Sequence, residues 1–369
     1  MKTALVILAA GLSSRMGVPK PLLPVGGRSA LERALALGRA ALVSETVVVT
    51  GRFREEVEAA LKKLARPHER AVHNPRYEEG MFTSVQAGIF ALSPDAEAFF
   101  LLPADCCAVS PDTLKTLLQT YERLPAPAVV HPACKGQRGH PPLIPAAFVR
   151  DIGSYDGPGG MRGFLSRYPA AEVETGDEGA LLDMDTPRDY AALLSYLGLP
   201  TYPSEETCLA LLREAGAPER VVRHSRAVRD TALYLAQKLR ERGVPLDENL
   251  LAAAAWLHDI RRAEPDHAGA GARYLLTLGY PDAAILVARH MDWPEEAPLI
   301  IDEAALLYLA DKLSREDQII PLEETLRRME ERLSENPEAL NNARRRLAAA
   351  MEIRRTLREK YGVETPPPA

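Results

Sequence analysis

Along the first two hundred positions, hydrophobic residues come as short unbroken runs. Between them lie stretches in which hydrophobics recur every three or four residues. TALVILAA (3–10), ETVVVTG (45–51) and AFFLLPAD (98–105) are runs too short for helices. They read as buried strands of a parallel sheet, apolar on both faces. APAVVHPA (126–133) and PLIPAAF (142–148) read as further strands or strand ends. The intervening segments SALERALALGRAAL (29–42), REEVEAALKKLA (54–65) and SPDTLKTLLQTYERL (110–124) carry the helical period. This alternation predicts a three-layer α/β, Rossmann-like sheet domain. LGLPTYPSEET (197–207) interrupts it, which sets a boundary between domains 1–199 and 200–369. Beyond the boundary the period is helical almost throughout, as in PERVVRHSRAVRDTALYLAQKLRERG (218–243) and DENLLAAAAWLHDIRR (247–262), so the second domain is expected to be all-α. Its last helices, within 322–362, are charge-rich. They read as an outer face packed on the domain, with a dimerising pair (a homodimer) as the alternative.

Composition narrows the class. The chain has 369 residues, 46% of them hydrophobic and 26% charged, with a net charge of −6, which speaks against a nucleic-acid partner. The apolar start is too short to span a bilayer and turns polar at Ser13, and no other stretch reads as a membrane span. Cys106, Cys107, Cys134 and Cys208 form no C-x-x-C pair and read as reduced thiols of a cytoplasmic protein.

Candidate chemistry starts at LAAGLSSRMGVPK (8–20), directly behind the first strand. Backbone N–H groups at a glycine-containing strand-to-helix turn bind phosphate, and Arg15 and Lys20 add two positive charges. The spacing fits neither a Walker A loop nor a dinucleotide fingerprint. Asp105 closes the third strand at the edge where α/β sheets bind ligands. Asp105 and Asp185, with Asp183 close by, are the carboxylates for Mg²⁺, although each also suits a helix start.

LAAGLSSRMGVPKPLLPVGGRSALE (8–32), NPRYEEGMFTSVQAG (74–88), RGHPPLIP (138–145), GPGGMRGFL (157–165) and LLDMDTPRDY (181–190) resemble, in order, the landmarks of the molybdenum cofactor nucleotidyltransferases. The resemblance implies a domain that joins a nucleoside monophosphate to a phosphorylated acceptor and releases pyrophosphate. Leu8, Ala9, Ala10, Gly11, Gly17, Lys20, Asn74, Gly80 and Ser84 would bind the nucleotide. Lys20, Arg15 and Asp105 would be catalytic, and Asp105 and Asp185 would hold Mg²⁺. Ala10, where the guanylyl branch tends to have glycine, resembles the cytidylyl branch, which implies CTP and molybdopterin, with a molybdoenzyme or insertase as a partner downstream. A sugar or alditol phosphate is the alternative acceptor. Cys107 stands where the family usually has proline.

In the second half, His258 and Asp259 stand side by side at the end of a strongly apolar stretch. Asp311 lies on the apolar face of EAALLYLADKLSR (303–315), one turn after Leu307. His224 heads a stripe with Val228, Ala232 and Leu235. Burying such groups costs several kcal/mol unless something compensates, and a divalent metal would. The order H…HD…D resembles the HD-domain metal-dependent phosphohydrolases. The resemblance implies that His224, His258, Asp259 and Asp311 hold a transition metal (Mn, Fe, Co, Ni or Zn). His267 and His290 match positions that in some members hold a second metal or contact phosphate. Arg261 and Arg262 could meet an anionic substrate or end a helix in solvent. A non-catalytic nucleotide sensor is the alternative reading of this domain.

Overall fold

The computed structural model describes residues 1–293 and 299–367. The chain divides into two compact units, Met1–Leu199 and Pro200–Ala369.

In the first unit, β1 (Thr3–Ala9), α1 (Ala30–Ala40), β2 (Glu45–Thr50), α2 (Arg54–Leu64), β3 (Glu69–His73), α3 (Met81–Phe90), β4 (Ala98–Pro103), α4 (Pro111–Glu122), β5 (Val129–Cys134), β6 (Leu143–Pro145), β7 (Ala170–Glu174) and α5 (Pro187–Tyr196) follow in order. The strands lie side by side as β7-β5-β6-β4-β1-β2-β3, with a two-residue strand, Gln137–Arg138, beside β5. All pairings are parallel except those of β6 and of the short strand. β1 is central, and its side chains alternate between two apolar layers. Leu5, Ile7 and Ala9 meet Leu31, Leu35, Val57 and Leu114 on one face. Ala4, Val6, Leu8 and Ala10 meet Val85, Ile89, Ile152 and Phe164 on the other. Each large side chain removed from water contributes about 1.5–3 kcal/mol, so helices on both faces make the three-layer unit. β1, β4 and β2 end together, with Leu8 opposite Pro103 and Ala9 opposite Thr50. At this rim the backbone comes so close that a Cβ on Gly51 would lie 2.5 Å from the Ala10 carbonyl oxygen.

The second unit contains α6 (Glu205–Glu214), α7 (Glu219–Arg240), α8 (Glu248–Leu257), α9 (His267–Thr277), α10 (Pro281–Arg289), α11 (Glu303–Leu313), α12 (Leu322–Arg332) and α13 (Pro337–Tyr361). It is mostly helical rather than all-α, because the two-residue strands Ser314–Arg315 and Gln318–Ile319 pair antiparallel between α11 and α12. α7 packs on α8 and α11, burying Val228, Leu235, Leu251, Trp256 and Leu307. α13 buries Ala343, Leu347, Ala350, Ile353 and Leu357, and the Tyr308 hydroxyl donates to the Arg346 carbonyl at 3.0 Å. The period over 247–262 predicts one helix through the His–Asp pair, but α8 stops at Leu257. His258 takes the C-cap position, where its Nδ1 lies 2.8 Å from the Ala255 carbonyl oxygen, one of the acceptors a helix end leaves unused. No described helix is long and apolar enough to cross a membrane.

Candidate active sites

The turn after β1 is shaped by Ser13 and Gly17, both with positive φ (50° and 68°). The Ser13 carbonyl accepts from the N–H groups of Met16 and Gly17, and its hydroxyl oxygen from the Lys20 N–H at 3.3 Å. Lys20 is thereby held at the rim, and its ammonium donates to Asp105 Oδ2 at 2.8 Å and Asp185 Oδ1 at 2.5 Å. These three charges come from segments up to 165 residues apart. Burial alone would lower the Lys20 ammonium, but the two carboxylates outweigh it and raise its pKa above the ordinary lysine value. The hydrogen bond from Lys20 in turn lowers Asp185. Asp183 accepts from the Asp185 N–H at 3.2 Å and steadies that loop. Arg15 reaches Asp185 at 3.4 Å and is 70% exposed.

The other predicted nucleotide residues take different parts. Leu8, Ala9 and Ala10 point into the cores, so only their backbone faces the rim. Gly11 has open space where a side chain would stand. Asn74 and Ser84 are buried, and the Asn74 amide donates to Thr83 Oγ1 and Ser84 Oγ, both at 2.9 Å. They bind the turn after β3 to the start of α3, which follows Gly80 (φ 114°) without a side-chain cap. Cys107 is buried, and burial pushes its thiol up to about 12, which rules out thiolate chemistry at neutral pH. Its carbonyl accepts from Arg33 Nε at 3.1 Å, which holds the loop where the resembled family has proline.

In the helical unit, His224 on α7, His258 and Asp259 after α8, and Asp311 on α11 converge. His224 Nε2 lies 3.1 Å from Asp311 Oδ1 and 3.3 Å from His258 Nε2. His258 Nε2 lies 3.5 Å from Asp311 and 3.7 Å from Asp259. His267 and His290 approach the other oxygen of Asp259, at 3.5 and 3.8 Å. Asp259 therefore joins two groups, His224–His258–Asp259 and Asp259–His267–His290, each compact enough for one ion. His258 and His290 are oriented by the same device: each sits at a helix C-cap with Nδ1 on the carbonyl three residues back, which turns Nε2 into the cluster. His290 Nε2 is buried without a partner among the described residues. Burial pushes its pKa down to about 3, so it is the neutral imidazole that ligates metals.

Both donor sets suit divalent cations. At the sheet rim two carboxylates already converge on one cationic centre. In the bundle the orphaned His290 nitrogen and the close nitrogens of His224 and His258 call for a positive ion.

Residues 5–173 match the MobA-like NTP transferase domain, and residues 221–316 match the HD domain. The chain joins a MobA-like NTP transferase domain to an HD domain. Over 185 residues it is 28% identical to molybdenum cofactor cytidylyltransferase of Escherichia coli, covering 50% of this chain and 92% of that protein. Over 186 residues it is 31% identical to tRNA (cytidine(56)-2'-O)-methyltransferase of Picrophilus torridus, covering 45% of this chain and only 51% of that protein. The crystal structure of Rv0371c from Mycobacterium tuberculosis H37Rv is 25% identical, covers 53% of this chain and 98% of that one, and aligns with a TM-score of 0.46.

Around the HD domain's cluster, two cations lie beyond what the sequence pointed to or separated. Lys312 donates to Asp311 Oδ2 at 2.6 Å and to the His290 carbonyl at 2.9 Å, although nothing in its spacing marks it. Of the two adjacent arginines, Arg262 contacts Asp259 and His267, both at 3.2 Å, while Arg261 lies over the Tyr274 ring. His258 is fully buried, which opposes its charge, yet Asp259 and Asp311 raise its pKa above the ordinary histidine value. Metal binding must expel that proton. Metal affinity of the HD domain should therefore fall about tenfold per pH unit on acidification below that pKa. Titration of the metal-stripped protein with Mn²⁺ or Zn²⁺ between pH 5.5 and 8 checks this, and a flat profile would contradict it.

Proposed function

We propose that the transferase domain moves CMP from CTP to a molybdopterin-type acceptor with release of pyrophosphate, and that the HD domain is a metal-dependent phosphohydrolase. The observation that carries the first half is the Lys20 ammonium held between Asp105 and Asp185 at the rim of β1 and β4. Similarity to the Escherichia coli cytidylyltransferase, spanning 92% of that protein, supports the choice of base and acceptor. An acceptor phosphate oxygen attacks the α-phosphorus of CTP, the bond to the pyrophosphate oxygen breaks, and negative charge grows on the leaving group. Lys20, Arg15 and the backbone N–H groups of the turn are the donors that meet that charge. Asp105 and Asp185 would hold Mg²⁺, which when bound neutralises the triphosphate.

In the HD domain, His224, His258, Asp259 and Asp311 would hold the metal. When bound, it polarises a phosphoryl oxygen and lowers the pKa of water. Arg262 supplies a charge beside Asp259 and His267 for a second phosphoryl oxygen.

The test offers the full-length protein CTP, GTP or ATP with Mg²⁺ and either molybdopterin, a sugar phosphate or an alditol phosphate, and follows pyrophosphate. CTP with molybdopterin is expected to react fastest. Turnover confined to a sugar or alditol phosphate, or a preference for GTP, would overturn the assignment. Release of inorganic phosphate with Mn²⁺, Fe²⁺, Co²⁺, Ni²⁺ or Zn²⁺ tests the second half, and tight nucleotide binding without turnover would make the domain a sensor.

A further inference from the structure

A cavity of about 810 Å³ opens on the HD cluster, reached from it by His224, Asp259 and Asp311. Its far wall is made by α12 and α13, which lie beyond the matched HD residues 221–316. Seven cationic side chains line it. Four have acidic partners in the fold: Arg262 with Asp259, Lys312 with Asp311, Arg328 with Glu324 and Arg346 with Asp292. The other three, Arg220, Arg315 and Arg332, are exposed and have no acidic partner among the described residues. They come from three elements: the first turn of α7, the two-residue strand after α11, and the last residue of α12.

The lining also holds one exposed carboxylate, Glu316, beside Arg315, but three unpaired guanidinium groups outnumber it and favour an anion there. Met291, Met329, Leu333 and Leu347 add apolar surface to the same lining. The cavity thus joins the histidine–aspartate cluster to a set of unpaired cations. Guanidinium groups suit phosphate because they donate in pairs.

We infer that Arg220, Arg315 and Arg332 form a second anion subsite, so that the HD domain's substrate is an organic phosphate carrying a second phosphate group, rather than a simple monoester. The inference rests on the hydrolase reading of the cluster. One phosphate sits at the histidine–aspartate centre, where water attacks phosphorus and the bridging P–O bond breaks, its oxygen leaving as an alcohol from an ester or on the remaining phosphate from an anhydride such as ADP. The other phosphate stays intact on the arginines and sets specificity.

The experiment compares phosphate release by the metal-loaded full-length protein from AMP, ADP and adenosine 3′,5′-bisphosphate. At least one doubly phosphorylated compound should exceed AMP in kcat/KM by about tenfold or more. The double variant Arg315→Gln, Arg332→Gln should erase that advantage and leave AMP within about twofold, because these exposed, unpaired side chains support no fold contact. Equal rates in the wild type, or equal losses on AMP and the diphosphates in the variant, would overturn the subsite. If none of the three is hydrolysed, the hydrolase reading fails, and the subsite is then read by affinity. Inorganic pyrophosphate should bind the double variant about tenfold more weakly than the wild type, and unchanged binding would refute the subsite. The difference between the two proteins excludes any contribution from the transferase domain.

Discussion

Asparagine in place of Asp311 is expected to weaken metal binding by the HD domain at least a hundredfold or so and to abolish phosphate release. The carboxylate is only 14% exposed and is the group that His224, His258 and Lys312 all face. Burial by itself would raise its pKa, but Lys312 and the two imidazoles hold it well below the ordinary aspartate value. Removing it leaves the Lys312 ammonium, 10% exposed, without its acidic partner. Breaking a buried pair in this way costs about 3 kcal/mol. The sign with pH follows from the depressed pKa. The stabilisation is complete above the unfolded carboxylate range and is lost as pH falls through the folded value, so variant and wild type should converge in acid. Denaturant unfolding in chelator from pH 7 down to about pH 2 reads the stability, with the difference expected to persist at pH 4 and to close below it, and metal analysis after dialysis reads the site. Wild-type metal content in the variant would remove Asp311 from the centre.

Methionine in place of Lys20 is expected to lower kcat/KM for pyrophosphate release by about 10²–10³-fold. The ammonium is the cation nearest the paired carboxylates and is fixed to the phosphate-binding turn through its own N–H on Ser13. Stability should fall by about 1–3 kcal/mol: Asp185 is 49% exposed and water can solvate it once the lysine is gone, but Asp105 is only 19% exposed and is left without its partner. Arginine should restore only part of the activity, since a planar fork cannot occupy the compact point where an ammonium meets two carboxylate oxygens. Full activity in the methionine variant would mean that Lys20 is an ion-pair partner alone.

How much of this was legible in the sequence differs by element. β1, β2 and β4 were plain because strands buried on both faces must be apolar at every position. β3 was not, because ERAVH carries polar residues and its flank is half exposed. The period ran one helix through His258 and Asp259, since apolar spacing is blind to an imidazole that caps a helix by taking its free carbonyl. The sequence marks Asn74 and Ser84 as nucleotide residues, but only the fold shows that the Asn74 amide donates to Ser84 Oγ. Lys312 had no signal at all: a lysine after an aspartate near a helix end is ordinary until its ammonium is seen on Asp311 and the His290 carbonyl.

The sequence by itself determined the α/β class of the first unit and the mostly helical class of the second, because hydrophobic period follows backbone geometry residue by residue. It also determined which groups were costly to bury, because that cost belongs to the side chain. Tertiary structure alone decided that Lys20 meets Asp105 and Asp185, that Asp259 joins two histidine pairs, and that three arginines on separate elements share one cavity. Those facts depend on distances between residues far apart in the chain, which only the packed sheet and bundle set.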